Sequence, residues 1–176
     1  MKTKTLKLVY SAFCLAIAII LPLLTGQIPQ IGNALCPMHI PVLLCGFICG
    51  WPYGLCVGLI APCMRSLLFG VPPLFPLSAS MAFELAAYGF LSGLCYKLFP
   101  KKNIYVFVSL FIAMILGRVV FGCAMYIFCG IANQSFTLAA FFTDSFANAV
   151  PGIIAQVILI PFIVNELRSA DIILNK

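Results

Sequence analysis

Residues 38–69 read MHIPVLLCGFICGWPYGLCVGLIAPCMRSLLF, an apolar run broken once at the corner Trp51-Pro52-Tyr53 and carrying a single full charge, Arg65. Proline cannot continue a helix that precedes it, so the run divides into a short helix over about Met38 to Gly50 and a second from the corner to about Phe69. Gly46, Gly50, Gly54 and Gly58 recur every fourth residue across the corner, which lets backbones approach closely on either side of Pro52. We read this first as a packing device; a short, tightly packed hairpin also leaves space above it for a ligand.

The surroundings have the same character. Of 176 residues, 64% are hydrophobic and 8% charged, with a mean hydropathy of +1.17, too little polar surface for a soluble globule. The chain is predicted to be an all-α integral membrane protein, a compact bundle of six transmembrane helices forming a single domain over residues 1–176, since helices of roughly 20 residues use nearly all of it. A first helix is expected over about Leu6 to Leu24. It follows Lys2, Lys4 and Lys7 as a signal peptide would, but its near-spanning length and the lack of a small-x-small cleavage site before Gln27 favour a retained helix. The remaining helices are expected over about Leu77 to Leu98, Ile104 to Ile131 and Asp144 to Asn165, the last followed by a short polar tail. Val71 to Pro76 reads as a rigid apolar loop, and Thr25 to Pro37 as a loop rich in Gly, Pro, Gln and Asn.

Ten Lys and Arg residues set the orientation. With six spans and a cytoplasmic amino terminus, Lys2, Lys4, Lys7, Lys97, Lys101, Lys102, Arg168 and Lys176 fall on the cytoplasmic side, and the three outer loops carry no cation. A five-span arrangement strands Arg168 and Lys176 outside. The formal net charge of +6 is therefore explained by membrane orientation rather than by nucleic acid, which would need a basic stripe interleaved with aromatics.

The two other cations, Arg65 and Arg118, lie inside apolar segments, where a charge is costly and first suspected of touching a ligand or a partner charge. In this topology His39, Arg65, Glu84, Arg118, Asp144 and Asn148 share the outer side, and together with Asn33 in the first outer loop they make up the candidate pocket. We take Asn33, His39, Arg65, Glu84, Arg118 and Asn148 as the candidate substrate-binding residues. Two readings stay open for Arg65 and Glu84, a ligand contact or an ion pair with each other, and His39 also fits a hydrogen-bonding role at a helix end. Phe69, Phe75, Phe83, Tyr88, Phe121 and Tyr126 are the aromatics at hand for apolar contacts. The nine cysteines lie mostly in apolar runs with no CxxC pair, so they read as small apolar fillers; neither metal nor cofactor is expected.

Ala12 and Ala16 form a small-x-x-x-small pair in the first helix, a flat surface on which a partner helix can dock. This pair, the six short spans, the run His39 to Gly58 and the stretch MAFELAAYGFLSG over residues 81–93 together resemble the substrate-binding S component of energy-coupling factor (ECF) vitamin transporters. The similarity covers most of the chain and is densest over residues 36–96.

That resemblance implies a small bacterial cytoplasmic-membrane protein that captures a micronutrient from outside and docks on a transmembrane coupling protein carrying two ATPases. It agrees with the absence of a GxxxxGK[ST] phosphate loop, so any ATP-driven step needs partners. The intramembrane arginines offer forks suited to a carboxylate or phosphate, which makes a carboxylated vitamin such as pantothenate the first expectation, then a folate-like or vitamin B6-like compound. The alternatives are a small integral membrane enzyme and a channel or assembly scaffold. With one His, no HxxxH or HExxH, and few intramembrane carboxylates, metal hydrolysis has little support. A channel would carry polar residues along a whole helix face, whereas here they cluster at one depth.

Overall fold

A computed structural model describes residues 2–24, 36–100, 102–133, 137, 141, 143 and 149–175. Among these are α1 (Lys2–Leu24), α2 (His39–Cys49), α3 (Trp51–Phe69), α4 (Ala79–Leu98), α5 (Asn103–Ile131) and α6 (Val150–Ser169), with a single wide turn over Leu74–Ser78 leading into α4. Five helices are long and apolar enough to cross a membrane; α2, with 11 residues, is about 16 Å long and reaches only halfway by itself.

The predicted boundaries differ mainly at three places. α1 begins at Lys2 rather than Leu6, and α6 spans Val150–Ser169, ending four residues beyond the expected Asn165, while its expected start at Asp144 lies outside the described residues. The segment after α6 is no free polar tail. Leu174 N–H donates to Ile48 O at 2.9 Å, Asn175 Nδ2 donates to Gly93 O at 2.9 Å and to Gly46 O at 3.4 Å, and Ile173 and Asn175 are buried.

The α2–α3 corner forms because Gly50 adopts φ 100°, a conformation that residues with a Cβ rarely hold, while Pro52 falls in the first turn of α3, where a missing N–H loses no bond. The glycine series is indeed a packing device. A methyl built on Gly54 would come 2.5 Å from Gly89 O, and one on Gly46 would come equally close to it, at 2.5 Å. Gly89 and Gly93 in α4 are the reciprocal half of this contact. α4 therefore sits at the centre, with α2, α3 and α5 packed around it, α1 against α2 and α3, and α6 against α2 and α5.

Register follows from these approaches. Gly54 meets Gly89 and Gly58 meets Leu85, so α3 runs antiparallel to α4; Gly46 meets Gly89 and Gly93 while His39 meets Glu84 and Tyr88, so α2 runs parallel to it. The start of α1 and the tail through Asn175 lie at one end of the bundle, where Ser11 accepts a hydrogen bond from Cys45 Sγ and the tail meets Ile48. The beginnings of α2, α4 and α6 lie toward the other end.

A buried polar cluster as candidate substrate site

Because α2 is a half-length helix packed parallel to α4, its first residue does not reach the bundle rim but stops level with Glu84, five residues into α4 and so about 8 Å below the start of that helix. Glu84 Oε1 is the focus. Arg118 Nη1 from α5 lies 2.9 Å away, Tyr88 OH donates to it at 3.1 Å, and His39 Nε2 stands at 3.6 Å. His39 and Tyr88 rings face each other with centroids 5.1 Å apart. Arg118 Nη2 continues to Cys36 Sγ at 3.7 Å, which ties the segment just before α2 to α5. Glu84 is 1% exposed, so its charge has little water and relies on these partners.

Local sequence explains how each group arrives. Tyr88 is one helical turn after Glu84 and therefore on the same face. Gly117 lies directly under the Tyr88 ring, letting α5 approach closely enough for its neighbour Arg118 to reach Glu84. Glu84 and Tyr88 are turned about 100° from Leu85 and Gly89, the residues of α4 that meet α3.

The structure thus joins His39, Glu84 and Arg118 as expected from one polar depth, and it overturns one reading: Glu84 pairs with Arg118, not with Arg65. Arg65 lies on the interior stripe of α3 with Gly54, Gly58 and Pro62, buried, and Nη1 has no hydrogen-bond partner among the described residues. Asn33 and Asn148 lie outside the described residues, as does Asp144. Of the aromatics, Tyr88 joins the cluster, whereas Phe69 and Tyr126 are exposed on the bundle surface and Phe75 and Phe83 pack against Phe128.

Tyr88 enters the cluster through a hydrogen bond rather than the apolar contact expected of it, and its four-residue spacing from Glu84 is the signal for that bond. Gln156 is a further buried polar group beyond the expected set, an amide on α6, six residues and about 9 Å from that helix's start, with Nε2 unpartnered among the described residues. Its signal was a lone amide within IIAQVILIPFIV, residues 153–164. Among the described residues no group of three or more His, Cys, Asp or Glu side chains is arranged to hold a metal.

Among the described residues the polar groups therefore form a solvent-shielded, charge-balanced cluster with spare hydrogen-bonding capacity on His39, suited to holding a polar solute. Neither the curated proteins nor the solved structures include a significant match to the chain. The family model for the ECF transporter, substrate-specific component, matches residues 6–170, nearly the whole chain. With a membrane helical bundle and a buried polar cluster already in view, that match places the chain in the family of ECF transporter substrate-specific components: it is a multi-pass membrane transport subunit, not an enzyme.

Proposed function

We propose that this subunit, a single six-helix domain with both termini in the cytoplasm, captures a carboxylated vitamin-like solute from outside, with pantothenate the first choice and folate-like or vitamin B6-like compounds next. It delivers the solute with a transmembrane coupling component and two ATP-binding-cassette ATPases in the bacterial cytoplasmic membrane. The observation that carries the reading is the Glu84–Arg118–His39–Tyr88 cluster, buried at one depth toward the end of the bundle remote from the α1 start and the tail. The cationic residues at the opposite end, Lys4, Lys7, Lys97 and Lys102, favour a cytoplasmic position for it and an external opening for the cluster. Asn33, Arg65 and Asn148 complete the proposed solute site.

Docking is assigned to α1. Ala12 and Ala16 are both exposed on α1, and Phe13, Leu8 and Ile20 beside them are exposed large apolar residues, a surface on which a second helix can pack closely. The test is to purify the protein from cells in which it is co-expressed with a coupling module, identify the co-purifying solute by mass spectrometry, and measure its ATP-dependent uptake. A co-purified vitamin taken up only when both parts are present is the expected result; the absence of uptake of that solute overturns the reading.

A further inference from the structure

We propose that Arg65 is the anchor for the acid group of the transported solute, and that the polar level around the Glu84–Arg118 pair, through His39, receives the solute's other, uncharged end; this rests on the transport reading above. Charge accounting makes the division. Arg118 is already committed, with Nη1 on Glu84 and Nη2 on Cys36 Sγ, and its charge is neutralised by the buried carboxylate. Arg65 is only 7% exposed, Nη1 is without a partner among the described residues, and no ion pair there balances it. A buried guanidinium is retained in an apolar helix when something supplies the opposite charge. Its planar fork matches a carboxylate or a phosphate at two points.

The axial spacing gives the solute a length. Gly58 of α3 meets Leu85 of α4, so Glu84 is level with about residue 59 of α3, and Arg65 lies some six residues, or roughly 9 Å, nearer the rim. A solute spanning the two has an acid at one end and hydrogen-bonding groups about 9 Å away. At the deeper level both His39 ring nitrogens are without a hydrogen-bond partner among the described residues, one a donor and the other an acceptor in the neutral ring, so that far end of the solute carries an uncharged group of each kind. Solutes charged at both ends are disfavoured, because the deeper level is already electrically balanced.

The experiment uses full-length protein in nanodiscs and has two readouts. Without added solute, Arg65→Met should raise the melting temperature by on the order of 3 °C, since it removes an unpaired buried charge. A fall of that size shows that Arg65 is held by the protein itself and overturns the assignment. Asp144→Asn should leave the melting temperature of the solute-free protein unchanged; a loss that Arg65→Met rescues identifies Asp144 as the internal partner and also overturns it.

The second readout is binding of matched probes, pantothenate against panthenol for a carboxylate and pyridoxal 5′-phosphate against pyridoxal for a phosphate, plus the co-purified solute. The acid of the recognised pair should bind roughly 30- to 1000-fold more tightly than its neutral counterpart, with Arg65→Met erasing the preference and Arg65→Lys restoring part of it. Which pair responds distinguishes carboxylate from phosphate. Equal binding of acid and neutral members, a preference that survives Arg65→Met, or a co-purified solute with no acid group each overturns the anchor while leaving the transport reading standing; failure of uptake with the coupling module overturns the transport reading instead.

Discussion

Arg118 Nη1 lies 2.9 Å from Glu84 Oε1, joining the middle of α5 to the upper half of α4 inside a bundle that has few other charges. Taking one partner away leaves the other charge buried and unpaired, whereas removing both leaves neither. Arg118→Met should therefore destabilise the protein by about 3–5 kcal/mol, and Arg118→Met with Glu84→Met should recover most of that loss. Thermal melts of the two single variants and the double variant in one detergent provide the comparison. A double variant as unstable as Arg118→Met would mean that the pair is not an isolated unit.

The tail acts as a strap across the α2–α4 contact, because the Asn175 amide reaches the carbonyls of Gly46 and Gly93 together. Asn175→Ala should lower stability by about 1–3 kcal/mol, the effect of losing two buried side-chain hydrogen bonds; Gly46 O keeps the Gly50 N–H as a donor. Trp51, the protein's single tryptophan, begins α3 immediately after the Gly50 corner and packs edge-on against Phe90, so its emission reports the same region. Unchanged emission and an unchanged melt in Asn175→Ala would show that the tail merely rests there.

Close packing of α3 on α4 predicts a steep response to one methyl. Gly54→Ala brings a Cβ to 2.5 Å from Gly89 O, which is backbone and yields only if the helices separate, at about 1–3 kcal/mol. Gly70→Ala has open space around it, and any loss there must come from its φ of 71° alone. Melting temperatures should fall further for Gly54→Ala; the reverse order would contradict the helix contact.

For the exposed α1 face, Ala12→Trp or Ala16→Trp should hold a partner helix away. Uptake by cells containing the coupling module should fall at least tenfold, while solute binding by the isolated subunit is retained. Normal uptake by both variants would remove α1 from the docking surface.

Topology is tested with reporters. One fused after Lys176 or inserted at Lys101 should read as cytoplasmic, and one at Gln30 or Gln134 as external. An external reading at Lys176 would exclude the six-span arrangement.

Much of this was legible in the amino-acid order. The apolar runs establish a helical membrane protein, the Gly50-Trp51-Pro52 corner sets the short second helix, the four-residue glycine spacing announces a close helix contact, and the motifs of residues 36–96 carry the family. These are properties of one segment at a time, governed by local backbone preference and by the demand that apolar surface face lipid. The choice of partner for Glu84 was of another kind. Sequence offers Arg65 as the partner of Glu84 because both lie on the outer side, but the actual choice depends on rotation and register across three helices. Once Gly54 and Gly58 press on Gly89 and Leu85, α4 shows α3 its glycine stripe and turns Glu84 about 100° away toward α5, where Gly117 admits Arg118. Arg65 is left about 9 Å farther along α3, buried, with Nη1 unpartnered among the described residues. Helical phase and axial offset between segments distant in sequence are decided by packing, and only the tertiary structure contains them.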